Sequence, residues 1–303
     1  MTDNKRGFGA GVFYVLLANL GWSLSGLFVR LMPGLSGWQI NCWRGFWMAV
    51  ALLCYSVFRY GPETGKIFNS IPRLAMFWSA ICFAAGTTFY VTSLTLVPTA
   101  TVSVIGATSP LFAGLLSRWI TGERPNIFAW VAAIVAIGGT IYIGWDGFQT
   151  GHVWGLVLCF GVPLTFAAQT LLLRRYREYD MMPAICAGGV LSFIVAGFAS
   201  QWIGGTASAF AIDLRSFGLL MLMGPMQLAI PLVFYGLGAK TVQGVTLALL
   251  AMMDAIINPF WSWLFVGEIP GRASIIGGGV ILFAVLLSVG GQTWLNGRET
   301  RLE

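Results

Sequence analysis

Val97–Pro125, VPTATVSVIGATSPLFAGLLSRWITGERP, and Val242–Pro270, VQGVTLALLAMMDAIINPFWSWLFVGEIP, share one layout. Set 145 positions apart, Val97 falls on Val242, Thr101 on Thr246, Ser117 on Ser262, Gly122 on Gly267, Glu123 on Glu268 and Pro125 on Pro270. Upstream, Phe89 and Tyr90 fall on Phe234 and Tyr235. A common Gly-Glu-x-Pro after equal apolar runs, continued in register, marks a duplicated chain. The register resumes at an offset of 144, with Gly11 on Gly155, Leu27 on Leu171, Arg30 on Arg174 and Cys42 on Cys186.

Only 9% of the 303 residues are charged and 57% are hydrophobic, a balance no water-facing surface tolerates over a whole chain. Apolar runs of about 20 residues, enough to cross a hydrocarbon core as helix, recur with short breaks. Barrel strands would be shorter and alternate in polarity. Ten spans are predicted: Gly11–Leu31, Trp38–Phe58, Leu74–Thr95, Thr101–Ile120, Ile127–Ile143, Val153–Leu173, Met182–Trp202, Leu214–Leu237, Val242–Phe265 and Ala273–Trp294. The first is longer than a signal-peptide core and lacks a small-residue cleavage site, so it is expected to remain as a helix.

Five spans per half is an odd number, so the second half enters the membrane upside down relative to the first. The expected fold is an all-α membrane protein of ten transmembrane helices in two inverted five-helix repeats. Its parts are a cytoplasmic tail at 1–10, repeats at 11–144 and 152–295 joined by an external linker at 145–151, and a cytoplasmic tail at 296–303. With the N-terminus inside, Lys5, Arg6, Arg59, Lys66, Arg73, Arg118, Arg124, Arg174, Arg175, Arg177, Lys240, Arg298 and Arg301 all lie on the inner side. Outer loops hold only Arg215 and Arg272. This positive-inside pattern accounts for the net charge of +6 as topology, excludes a nucleic-acid partner, and places both termini in the cytoplasm of an inner-membrane protein. The cysteines Cys42, Cys54, Cys82, Cys159 and Cys186 sit within spans at no metal-binding spacing and are expected to be buried free thiols. No metal or cofactor is implied.

Mirror-related halves can open to one side and then the other around a central site, which is the logic of a transporter. Such sites gather where Gly and Pro interrupt corresponding spans, here Ser109-Pro110 and Asn258-Pro259. Asn19, Ser23, Gly26 and Arg30 share one polar face of the first helix, with Trp22 beside them. Asp254 is the acidic residue deepest in a span, on a stripe with Asn258 and Trp261. It reads either as a cation, amine or proton partner or as a neutral, hydrogen-bonded packing residue. The candidates for substrate contact are Asn19, Trp22, Tyr90, Gln227, Asp254 and Asn258. Candidate cavity-lining residues are Ser23, Arg44, Gly86, Ser109, Pro110, Gln169, Tyr235 and Trp261. Arg44 reads either as a carboxylate anchor or as a rim residue that snorkels outward. His152 sits at an outer helix edge, where a solvated rim role fits. The fifth and tenth spans carry Ala132, Ala133, Ala136, Gly138 and Gly139, and Gly277, Gly278 and Gly279; such faces suit close packing or contact with a second copy.

Pro110 and the Gly122-Glu123 and Gly267-Glu268 helix ends, within spans covering Gly11 to about Trp294, resemble the drug/metabolite transporter superfamily and its ten-helix EamA-type members. The resemblance implies two inverted five-helix repeats, the fifth and tenth helices set back from the cavity, and export of metabolites or drugs. Within that group the chain resembles bacterial exporters of aromatic amino acids, on an aromatic-rich interior of Trp22, Trp43, Trp47, Tyr90, Phe166 and Trp261. The implied partners are a small-molecule substrate and the lipid bilayer, with proton coupling and an oligomer through helices five and ten as open expectations. A broad drug or lipophilic-cation exporter and a channel-like facilitator are the alternatives. A membrane-embedded enzyme is remote, because one peripheral His and one deep Asp do not supply an HExxH, a GxSxG or a paired-aspartate site. A sugar-phosphate carrier would need deep cationic groups, and no Lys lies at mid-depth.

Overall fold

The computed structural model describes residues 2–120, 122, 130–132, 134–139, 141–142, 153–202, 208–238, 250 and 253–299. Glu123 to Pro125, the 145–151 linker, His152, Lys240, much of the fifth span and residues 242–249 of the ninth lie outside them. The described residues are helical throughout their ordered elements. They include six helices long and apolar enough to cross a membrane: Gly9–Arg30, Arg73–Leu96, Thr99–Ile120, Val153–Arg175, Met182–Trp202 and Leu214–Gly238.

The elements follow the predicted spans closely, and their interruptions carry the information. Span one is α1 (Thr2–Ser23) and α2 (Ser25–Arg30), broken at Leu24. Span two is α3 (Gly37–Tyr60), started by a capping box in which Gln39 N–H donates to Ser36 Oγ and Ser36 N–H donates to Gln39 Oε1. It is long enough to span but is not among the six apolar helices, because it carries buried Gln39, Asn41 and Arg44. After the short α4 (Thr64–Ser70), α5 (Arg73–Leu96) is span three, and Pro98 turns the chain into α6 (Thr99–Gly106). As expected from Pro110, span four breaks: α6 ends at Gly106 and α7 (Ser109–Ile120) resumes with Pro110 in its first turn, where the missing N–H costs nothing.

In the second half, α8 (Val153–Arg175), α9 (Met182–Trp202), α10 (Leu214–Met223), a π-helical turn Gly224–Ala229 and α11 (Ile230–Gly238) precede α12 (Asp254–Val266) and α13 (Arg272–Glu299). Asn258-Pro259 does not interrupt the ninth span as expected. Pro259 lies inside α12, and the helix instead begins one turn earlier, at Asp254. At the 145-residue offset Asp254 falls on Ser109, the first residue of α7, so α7 and α12 begin at matching positions of that alignment. They also end alike. Gly122 at φ +82° and Gly267 at φ +73° are left-handed helix terminators, donating to the equivalent carbonyls of Ser117 and Ser262.

Equivalent helices α3 and α9 pack with reciprocal contacts. The Cys42 thiol donates to Phe193 C=O at 3.5 Å, and the Cys186 thiol donates to Ala49 C=O at 3.4 Å. At the 144-residue offset these are one contact written twice, and Gly45 meets its own counterpart Gly189 between them. A Cβ on either glycine would fall 2.9 Å from the other's carbonyl oxygen, so only glycine lets the backbones approach this closely.

The small faces of spans five and ten are engaged within the chain. Ala132, Ala136, Ile281 and Ala284 pack with Val104 and Leu111, and a Cβ on Gly139 would lie 3.0 Å from Gly277 C=O. Cys42, Cys159 and Cys186 are buried as expected, but Cys82 is half-buried and Cys54 is exposed. Cys54 shares the outward apolar face of α3 with Leu53, Val57 and Phe58, a face that meets lipid rather than protein.

Candidate functional site

The site grows from the break at Leu24. Gly21, Ser23, Ser25 and Gly26 are weak helix formers, and Ser23 Oγ donates to Leu20 C=O at 2.8 Å, competing with the backbone ladder. In an unbroken helix Gly26 N–H would donate to Trp22 C=O. Instead Gly26 N–H donates to Asn258 Oδ1 at 3.0 Å, and Trp22 C=O accepts from Gln227 Nε2 at 3.3 Å. Both halves of the lost bond are thus completed by buried amides from the second half of the chain.

A network closes around these amides. Asn258 Nδ2 donates to Tyr90 OH at 2.8 Å and to Ser25 Oγ at 3.2 Å, and Ser25 and Tyr90 share a hydrogen bond of 2.5 Å. Arg44 Nε donates to Gln227 Oε1 at 2.8 Å, with its guanidinium carbon 6.0 Å from the Tyr90 ring centroid. Gln227 lies on the π turn, a local widening of the helix that frees backbone groups and is common at functional sites. Arg44 is 2% exposed, so the rim reading, in which it snorkels outward, is corrected: its head is held inward by Gln227.

The polar face of the first helix meets the ninth span along its length. Asn19 Nδ2 donates to Leu250 C=O at 2.9 Å, Trp261 Nε1 donates to Ser23 Oγ at 3.0 Å, and Arg30 reaches Glu268. The two segments therefore run in the same direction. Trp22 packs on Tyr235 with ring centroids 5.2 Å apart. Asp254, half-buried at the start of α12, has a buried Oδ1 without a hydrogen-bond partner.

Other candidates fall outside this network. Ser109 Oγ donates within its own chain turn to Gly106 C=O, Gly86 packs against Thr165, and Gln169 Nε2 donates to Ser79 Oγ at 2.8 Å as a contact between α8 and α5. Pro110 serves the break in span four. Trp43 and Trp47 join Phe46, Phe193, Phe210 and Phe217 in an aromatic cluster, whereas Phe166 is exposed and not part of that interior.

A second polar cluster closes the Arg30 end of the bundle. The Glu268 carboxylate accepts from Arg30 Nε at 2.7 Å and Nη2 at 3.2 Å, and from Thr99 N–H at 2.6 Å and Oγ1 at 3.0 Å. Arg30 Nη2 also donates to Val97 C=O, and Ser262 Oγ donates to Thr99 Oγ1. A carboxylate seated on the N-terminus of α6 and in the fork of an arginine is favoured by both. Ser25, Thr99 and the partnering of Arg30 with Glu268 were not singled out from sequence. The signal for the last was present, since both residues belong to repeated positions.

Gly26 sits between the two clusters. A Cβ there would fall 2.3 Å from Thr99 Cγ2, 2.6 Å from Asn258 Oδ1 and 2.9 Å from Ser262 Oγ, each pinned by its own hydrogen bonds. Gly26→Ala is expected to destabilise the protein by about 1–3 kcal/mol through overpacking. A lowered thermal-unfolding midpoint in detergent checks this; an unchanged midpoint refutes it.

These features define a multi-pass helical membrane protein whose buried polar network is completed by residues from both halves. Residues 9–145 match the EamA-like transporter family. The pseudopaline exporter CntI of Pseudomonas aeruginosa strain UCBPP-PA14 is 25% identical over 194 residues, 63% of this chain and 66% of that one. A protein named probable terminal-alkyne amino-acid exporter, from Streptantibioticus cattleyicolor, is 28% identical over 222 residues, 69% of this chain and 71% of its own. The uncharacterized transporter YdfC of Bacillus subtilis strain 168 is 24% identical over 191 residues, 60% of each chain. The match thus spans just under two thirds of the length of the CntI relative. A solved crystal structure superposes with a TM-score of 0.66 at 14% identity, covering 92% of this chain and 96% of that one, and so shares the fold. Residues 9–145 of the chain thus carry an EamA-like region, and the chain is similar to proteins named as exporters.

Proposed function

We propose that this chain exports amino acids, hydrophobic and aromatic ones among them, and related metabolites across a bacterial inner membrane. The mechanism is alternating access between inverted repeats at 11–144 and 152–295, with both termini cytoplasmic. The observation that carries the reading is the broken bond of the first helix, whose two ends are held by Asn258 and Gln227 of the other half. Such bonds exchange readily for bonds to a solute when the halves rock. The reciprocal contacts of α3 and α9 support the inverted arrangement, as does the meeting of the start of span four, Thr99, with the end of span nine, Glu268. The names of two relatives, the pseudopaline exporter and the probable terminal-alkyne amino-acid exporter, support small-molecule cargo, in the second case amino-acid cargo. Asn19, Trp22, Tyr90, Gln227, Asp254 and Asn258 are the contact residues of this reading.

Purified protein in proteoliposomes is expected to move labelled Phe, Trp and Thr with saturable rates and counterflow. Running the assay with and without a pH gradient decides proton coupling. Saturable flux of lipophilic cations without amino acids would replace this reading with the drug-exporter one. Unsaturable flux would replace it with a channel.

A further inference from the structure

Eight buried side-chain atoms among the described residues lack partners, Asn41 Oδ1 beside Arg44 on α3 included, and the two that belong to ionisable groups are on Arg44 and Asp254. On α3, Arg44 Nη1 and, one turn along, Trp47 Nε1 are donors without acceptors. Asn19 Oδ1 and Asp254 Oδ1 are acceptors without donors. Asn19 belongs with Asp254 because its Nδ2 is committed to the C=O of Leu250, four residues before Asp254 in sequence. Tyr90 joins these groups: its ring centroid lies 6.0 Å from the Arg44 guanidinium carbon, and its hydroxyl accepts from Asn258, one turn beyond Asp254 on α12.

Each group alone is unfavourable. Among the described residues the acceptor held by the Arg44 head is the neutral amide of Gln227, and the ion pairs are Arg30–Glu268 and Lys66–Glu63. A buried guanidinium without its counter-ion costs several kcal/mol on the order expected for intramembrane charges. Gln227 cannot turn away to relieve it, because its Nε2 is committed to Trp22 C=O. Asp254 presents the same problem with opposite sign. A simple cation would leave Arg44 unmatched, and a simple anion would leave Asp254 unmatched.

We infer that the solute is held as a zwitterion, its carboxylate on Arg44 and its ammonium on Asp254 and Asn19, with Tyr90 between the two ends. This rests on the amino-acid reading of the site and narrows it: recognition falls on the backbone end common to amino acids and their derivatives rather than on the side chain.

The test is counterflow competition in proteoliposomes with L-Phe, phenylalaninamide, which lacks the carboxylate, and 3-phenylpropionate, which lacks the ammonium. The wild-type protein is expected to prefer Phe at least about tenfold over each analogue, as a site with buried charges rejects ligands that leave them unpaired. Arg44→Gln is expected to erase the preference for Phe over the amide while retaining that over 3-phenylpropionate. Asp254→Asn is expected to do the reverse. These ratios do not depend on the amount of folded protein, and the wild-type series needs no variant. Phe carried without either preference, or variants that lower all three solutes in proportion, would overturn the inference and leave the amino-acid reading intact. Absence of any amino-acid flux would sink both.

Discussion

Asn258→Leu is expected to reduce transport more than tenfold and to lower the unfolding midpoint together. Asn258 is fully buried and serves three partners, accepting from Gly26 N–H and donating to Ser25 and Tyr90. Leucine keeps the branched heavy-atom skeleton but offers no hydrogen-bonding group, so the Gly26 N–H is left without an acceptor in an apolar interior. An orphaned buried donor costs about 1–3 kcal/mol. The same change removes the amide through which the second half grips the broken first helix. Initial rates per folded protein, read beside a melting curve, separate the two effects. A lower midpoint with an unchanged rate would make Asn258 a packing residue only.

Glu268→Gln is expected to unlatch the Arg30 end of the bundle. The carboxylate accepts four hydrogen bonds from Arg30 and Thr99. A glutamine places an NH2 against at least one of those donors, so a bond is lost and another becomes repulsive. Losing charge-assisted bonds in a half-buried site amounts to about 2 kcal/mol, or roughly a thirtyfold shift in the balance between closed and open states. A cysteine placed at Ala100, which is buried beside Thr99, Ser262 and Glu268, reports it. Its reaction with an impermeant thiol reagent should speed up about tenfold or more in the Glu268→Gln background. Equal rates would show that the cluster does not hold that end shut.

The pH dependence of the same latch has a definite sign. Burial pushes the Glu268 carboxyl up, but the bonds from Arg30 and Thr99 outweigh it and hold the group below its ordinary value. A depressed carboxylate stabilises the closed arrangement above the ordinary carboxylate range and loses that contribution only as pH falls through the lowered value. Accessibility at the Ala100 position is therefore expected to stay flat between about pH 5 and 8.

Much of this arrangement was legible in the repeat. Gly122 and Gly267 emerged as helix terminators, both at positive φ, and the break beside Pro110 fell where a missing N–H is tolerated. The polar face of the first helix was visible as spacing, because a stripe of Asn19, Ser23, Gly26 and Arg30 cannot face lipid. Its partner strip was not visible, since pairing across more than 200 residues is set by tertiary packing and leaves no local signal. Pro259 misled for a related reason. A proline in a helix interior removes a backbone bond and so predicts a break, but Pro259 stands inside α12, and the interruption falls at the position that the offset pairs with Ser109. Arg44 was ambiguous from sequence because an arginine near a helix end can reach water; only the position of Gln227 decides which way it points.

The π turn at Gly224–Ala229 divides one long helix between two neighbours, with Leu214–Met223 lying on Gly37–Tyr60 and Ile230–Gly238 on Thr2–Ser23. A π turn takes up one residue more than the α-helix it replaces, which rotates everything beyond it by about 100°. The length of this stretch is therefore fixed more strictly than its composition. A substitution at the outward Met226 leaves this geometry in place, whereas one codon gained or lost between Met223 and Ile230 would swing Tyr235 away from Trp22 without altering either residue.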